Sequence, residues 1–222
     1  IYTLWHTLSL HDALPILLID NKFGESLADI FRFSEIREDE WKEARDSDRF
    51  SRTVNSKWGD GAGAFNKGRT KYYFSQCGNE ETGDNEEVQE CHIFVSELVD
   101  GEWQEPKKLN RNINKKGFDS KHPSLSPSGD TLFFASNLPG GMGGLDIWYS
   151  VSLAGDNWGA AQNMGDQVNT AFREISPFYD ANEKALFFAS TGHRGFGGLD
   201  IFMARGKNFL NPEIFNIGAP YN

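Results

Sequence analysis

The sequence predicts an all-β chain: an incomplete β-propeller of four-stranded antiparallel blades, about three and a half of them. Three observations carry this. GMGGLDIWYS (141–150) returns as GFGGLDIFMA (195–204), 54 positions later. Upstream of each copy the same aromatic strand, LFFAS, recurs at 132–136 and 186–190. Flanking pieces also match: HPSLSPSGDT (122–131) with SPFYDANEKA (176–185), and AGDNWGAAQNMG (154–165) with GKNFLNPEIFNIG (206–218). A unit of four short strands recurring every 40–55 residues is the signature of a propeller blade, whose single sheet buries its faces only by stacking on neighbours.

Each unit reads as a strand like PSLS, a second like LFFAS, a third like DIWYS and a fourth around the Trp…Asn-Met-Gly piece. The second and third are rich in aromatic and β-branched residues, and Gly, Asn, Asp and Ser punctuate between them. A third copy lies upstream. KYYFSQ (71–76) matches TLFFAS, CHIFVSE (91–97) stands 54 residues before LDIWYSV, and GEWQEPKKLN (101–110) matches the Trp-containing piece. A partial fourth starts at LADIFRF (27–33), continues at EWKEA (40–44) and reaches VNS (54–56). The expected units are therefore 17–63 (partial blade and insertion), 64–116, 117–170 and 171–222. With fewer blades than the four to eight that close a propeller, the sequence reads as a piece of a longer reading frame. An unclosed arc would leave sheet edges and an apolar blade face exposed.

Two stretches read two ways. SEIREDEWKEARDSDRF (34–50) has the charge density of a helix but only a weak apolar stripe; the repeat alignment makes it a turn, a fourth strand and an insertion. FGESLADIFRF is either a helix start or an edge strand. Residues 1–16 are set aside as a non-native segment. LSLHDALPI resembles translated sequencing-adapter read-through, and the stretch has neither a basic n-region nor a small-residue cleavage site. His6 and His11 fall within it and receive no role.

The Gly-rich decapeptide is expected to be the turn between second and third strands. Gly143 and Gly144, and their counterparts Gly197 and Gly198, would supply positive φ and let backbone pass close to the next blade. Asp146 and Asp200 would accept hydrogen bonds from turn N–H groups. A phosphate cradle is the competing reading, but the stretch is neither GxxxxGK[ST] nor GxGxxG and no helix follows.

Composition narrows the function. Apolar residues are 38% of the chain and aromatics 14%, enough for a core, and the net charge is −10. Nucleic acid is disfavoured as a partner, because phosphate binding needs clustered Lys and Arg. No apolar run is long enough for a transmembrane helix. Cys77 follows the second strand of its unit and Cys91 opens the third; facing each other across a hairpin, they predict a disulfide worth about 3 kcal/mol and an oxidising compartment. The alternative is two free thiols. Between them lies an acidic insertion (Glu80, Glu81, Asp84, Glu86, Glu87, Glu90). It matches no calcium-binding loop and reads as a solvated flap.

No catalytic, cofactor or metal residue is assigned. His92, His122 and His193 sit in no metal-ligand spacing, and GxSxG is absent. SPSGDTLFF resembles the Asp-box of sialidases in shape, but lacks its Asp after the Ser, and reads as a turn. His122 is expected to make a structural hydrogen bond. Trp103, Trp158 and Phe209 share a repeat position, which favours blade packing over a sugar platform.

The set SPSGDTLFFASNLPGGMGGLDIWYS, NMGDQVNT and REISPFYDANEKALFFAS…GGLDIF strongly resembles the WD-repeat-like, TolB-type propeller repeats of Bacteroidetes envelope proteins, over residues 27–222. The resemblance implies a periplasmic, outer-membrane-associated protein of the OmpA-family and type IX secretion or gliding accessory group. It implies a non-enzymatic scaffold whose partner is an envelope protein or a peptidoglycan-associated one. The OmpA-like domain of that family is absent here. Two other classes compete: the substrate-gating or catalytic propeller of a peptidase or glycoside hydrolase, which would need paired carboxylates at one end of the channel, and a lectin-like propeller.

Overall fold

The computed structural model of the 222-residue chain describes residues 51, 53–55, 59–81, 87–206 and 211–222, together with the backbone of four short strands before them. Those four are β1 (Pro15–Ile19), paired with β2 (Ala28–Arg32), and β3 (Glu35–Arg37), paired with β4 (Glu40–Trp41). Of the two readings open for LADIFRF and for SEIREDEWKEARDSDRF, the strand is the one observed, at residues 28–32, 35–37 and 40–41; residues 27, 33, 34, 38, 39 and 42–50 lie outside the described residues. Pro15 and Ile16, in the segment set aside, open β1; residues 1–14 lie outside the description.

Three larger antiparallel sheets follow. The first holds β5 (Gly59–Phe65), β6 (Lys71–Glu81), β7 (Glu87–Val99), β8 (Glu102–Trp103) and β9 (Lys107–Lys108). The second holds β10 (Ser120–Leu125), β11 (Thr131–Ser136), β12 (Asp146–Ala154), β13 (Asn157–Trp158) and β14 (Gln162–Asn163). The third holds β15 (Glu174–Asp180), β16 (Ala185–Ser190), β17 (Asp200–Arg205) and β18 (Glu213–Asn216). Each is an up-and-down meander. The expected unit boundary at residue 64 cuts through β5. The reason is chemical: GDGAGAF has no alternating apolar pattern to mark it as a strand.

The sheets pack face to face, and the side-chain period of two sorts each strand between two cores. Along β11, Leu132 and Phe134 join Tyr73, Ile93 and Val95 of the first sheet. The intervening Phe133 and Ala135 join Ile175, Leu186 and Phe188 of the third. A strand buried on both faces must be apolar throughout, which is why LFFAS is a continuous run. Phe133 stacks on Tyr179 with ring centroids 6.0 Å apart, and Trp158, fully buried, meets Tyr73 edge-on at 6.1 Å; such pairs add to area burial.

The fourth strand departs from expectation. In the second sheet it is two pieces: Trp158 pairs with Ser152, the chain jogs at Gly159, and Gln162 and Asn163 pair with Tyr149 and Trp148. The jog is held by Gly159 N–H donating to Val151 O and by Ser150 Oγ donating to Gly159 O. The first sheet splits likewise into β8 and β9 on β7.

Candidate functional site

The turn between second and third strands repeats with the same internal bonds. In the second sheet Asp146 accepts hydrogen bonds from Met142 N–H (2.6 Å) and Gly143 N–H (3.0 Å). In the third, Asp200 accepts from Phe196 N–H (2.7 Å) and Gly197 N–H (3.1 Å). Gly141 and Gly195 lie so close to these carboxylates that a Cβ at either would strike its aspartate. That requirement was missed in the sequence, although both glycines open the repeated decapeptides.

The four glycines expected at positive φ divide. Gly197 (φ 128) and Gly198 (φ 67) adopt it; Gly143 and Gly144 do not, and in that copy the left-handed glycine is Gly140 (φ 91). Gly143 is required for close approach instead: a Cβ there would overlap the carbonyl oxygens of Thr170 and Phe172 on the connection to the third sheet. Gly144 N–H donates to Phe172 O (2.6 Å), Leu145 bridges Arg173 in parallel, and Glu174 N–H donates to Leu145 O (2.7 Å). The turn is therefore an anchor for the next sheet.

The first sheet solves the same problem differently. Its register places His92 opposite Gln76, where Asp146 stands opposite Ser136 and Asp200 opposite Ser190. Cys77 and Cys91, directly opposed one position along, are joined in a disulfide with Cα atoms 4.0 Å apart. Buried His92 Nε2 lies 3.2 Å from Glu90, whose other oxygen accepts from Gly117 N–H. The tip of the acidic insertion, residues 82–86, lies outside the described residues.

A second repeated device went unnoticed in the sequence. Asn169 presents its carboxamide edge-on to Ile147, accepting from its N–H (2.7 Å) and donating to its C=O (2.9 Å). Asn114 does the same to Ile93 and Asn222 to Ile201. A side chain here completes the ladder where the fourth strand has ended, satisfying groups that would be costly to bury unpaired. The signal available was the recurring apolar-Asn pair: Ile113-Asn114, Val168-Asn169 and Tyr221-Asn222.

The first strands of the second and third sheets carry matching β-bulges, between Lys121 and Ser124 and between Ile175 and Phe178. His122 (φ 55) and Ser176 (φ 53) hold equivalent left-handed positions there. The backbone N–H of His122 donates to Ser75 Oγ (2.7 Å), and its ring Nδ1 accepts from Ser176 N–H (3.3 Å), so one residue links three sheets. Burial, then the positive charges of Lys121 and Arg173, push His122 down to about 4. His193, expected in no site, bonds through Nε2 to Val168 O (2.9 Å) and lies against Phe188 and Phe202. Glu174, a buried carboxylate, takes Thr170 N–H, Thr170 Oγ1–H and Ser190 Oγ–H. SPSGD forms a turn in which hydrogen bonds from the Ser128, Ser126 and Thr131 side chains hold the Asp130 carboxyl below its usual range. Trp103 packs near Phe65 and Tyr72; Phe209 lies outside the described residues. Among the described residues no group of three His, Cys, Asp or Glu side chains is placed to hold a metal, and no helix is long and apolar enough to cross a membrane.

No protein-family model matches the chain, and no curated protein sequence is similar to it. Two solved structures are similar in shape. TolB from Acinetobacter baumannii aligns over 87% of this chain and 37% of its own, with 16% identity and a TM-score of 0.49. A puromycin-hydrolysing peptidase of Mycobacterium tuberculosis aligns over 92% of this chain and 30% of its own, with 12% identity and a TM-score of 0.47. The chain thus spans about a third of the length of each.

Proposed function

We propose that these sheets are successive blades of a β-propeller that serves as a non-enzymatic scaffold in the periplasm, associated with the outer membrane, where it docks an envelope protein or a peptidoglycan-associated partner. Its setting would be the secretion and gliding machinery that the sequence resemblance points to. One observation carries the reading: several of the buried polar side chains that could do chemistry are committed to structural bonds, within turns or between sheets. Asp146 and Asp200 pin turns, Glu174 and His193 tie the connections, and His122 bridges three sheets. The Cys77–Cys91 disulfide suits an oxidising compartment.

The test uses the native cell. Fractionation should find the protein in the envelope, and mass mapping without reductant should find Cys77 linked to Cys91. Chemical cross-linking there should trap a defined envelope partner. Free thiols in the native compartment, or turnover of peptide or glycoside substrates with no cross-linked partner, would defeat the proposal.

A further inference from the structure

Two ends of the sheet stack differ in what stands beside their exposed cations. Meander topology puts the turns between second and third strands at the same end as the connections between sheets. Hydrogen bonds join them there: Gly144 to Phe172, Asp119 to Asn137, His193 to Val168. At the opposite end Lys71 pairs with Glu97 and Asp156 and Arg205 with Glu183, while Lys67 and Lys184 are exposed. At the connection end Arg111, Lys115, Lys116, Arg173 and Arg194 are all exposed and form no ion pair among the described residues. Lys121 there pairs with Asp119. Of the described carboxylates at this end on the second and third sheets, Asp146, Glu174 and Asp200 are buried in the turns, and Asp166 is exposed.

Large apolar side chains are exposed among these cations: Phe172 (61%), Phe196 (74%) and Met142 (46%). Phe172 leans over Gly192 of the neighbouring turn, and the aliphatic part of Arg173 lies over Gly144. Unmatched guanidinium groups beside exposed rings in a chain of net charge −10 mark a surface shaped for a partner of opposite charge with apolar groups of its own.

We infer that the connection end of the second and third sheets binds an acidic polypeptide segment carrying aromatic or aliphatic side chains, with Arg173 and Arg194 reading its carboxylates and Phe172 and Phe196 its apolar groups. This deepens the scaffold reading and rests on it, by naming the face and the class of partner.

The probe is a labelled synthetic peptide of repeated Glu-Phe-Asp-Gly, titrated by fluorescence anisotropy against the intact chain. Binding is expected to weaken as NaCl rises from about 50 to 300 mM, since exposed charges are screened. R173E with R194E should weaken it by at least about tenfold, and F172S with F196S by about fivefold. K67E with K107E, away from this end, should leave it within about twofold. Each variant is first melted to establish an unchanged Tm. Absence of binding overturns the inference, as does equal loss in the K67E/K107E variant. So does tighter binding of the polyuronate alginate than of the peptide, or concentration-dependent self-association abolished by R173E/R194E. Envelope cross-linking that survives R173E/R194E would overturn this face while leaving the scaffold reading standing.

Discussion

The decapeptides at 141–150 and 195–204 are nearly the same in sequence and make the same internal bonds, yet within these 222 residues only the first is covered by a following sheet. Leu145 is 7% exposed and bridges Arg173; its counterpart Leu199 is 36% exposed. Val168, beside its bracketing asparagine, is fully buried, whereas the equivalent Tyr221 is 43% exposed. The aspartate clamps do not differ in this way: Asp146 and Asp200 are both buried and both take two turn N–H groups. The clamp folds on information within the ten residues. The outer side of the turn is a receptor whose burial depends on the sheet that follows.

The largest expected effect tests this at the bracketing asparagines. N169A removes the partners of both Ile147 N–H and Ile147 C=O in a fully buried setting and should cost about 4 kcal/mol in urea unfolding. N222A removes the same bonds to Ile201 where the carboxamide is half-buried, and should cost about 2 kcal/mol because water can replace it. Equal losses would break the comparison, showing that the bracket's worth is independent of cover.

Next come the glycines. G143A drives a methyl into the backbone of Thr170 and Phe172, which cannot yield without parting two sheets, at about 3 kcal/mol. G197A meets nothing within 4 Å and costs only the left-handed strain of φ 128, about 1 kcal/mol. Thermal melts of the two variants should rank in that order. A reversal would mean that the anchor contact is weaker than the turn strain.

Much of this architecture was legible from residues alone. LFFAS and DIWYS are apolar on both faces and bounded by turn residues, so their strands, their order and the turn between them could be read directly. The two cysteines could be paired because they bracket a hairpin. What could not be read depends on groups that leave no periodic trace. β5 is glycine-rich, the fourth strands are two-residue pieces, and Asn114, Asn169 and Asn222 act as strand substitutes through one carboxamide each. Positive φ was assigned to Gly143 and Gly144 because the two copies look alike. Only the neighbouring carbonyls of Thr170 and Phe172 reveal that the absent Cβ matters there for space. The exposed cations and rings gathered at the connection end were invisible for a similar reason: they follow from which loops meet at one end, and no single segment displays them.

The first sheet offers a chemical contrast to the two clamped turns. C77S with C91S replaces its covalent link by an ordinary hairpin. The chain-entropy value of about 3 kcal/mol is an upper figure where antiparallel pairing already holds the register, so the expected loss is about 2 kcal/mol. Reductant should reproduce that loss in the native protein and leave the double variant unchanged. A reductant effect on the double variant would place the sensitivity elsewhere than in this link.

The smallest effect concerns how the sheets are joined along their first strands, and it is read by pH. His122 is neutral in the folded chain, with a pKa pushed down to about 4 by burial and by Lys121 and Arg173, against about 6.5 when unfolded. Between these values the unfolded chain binds a proton that the folded chain refuses, so stability is complete above about pH 6.5 and declines as pH falls toward 4. Ser176, which donates its N–H to Nδ1 of that ring, marks the joint that protonation would open, because a protonated Nδ1 can no longer accept. H122Q retains an acceptor and cannot titrate. Its Tm should fall less between pH 6.5 and pH 4 than that of the native chain, while the two differ little at pH 8. Parallel curves for both proteins would show that His122 does not set the acid sensitivity of the joint.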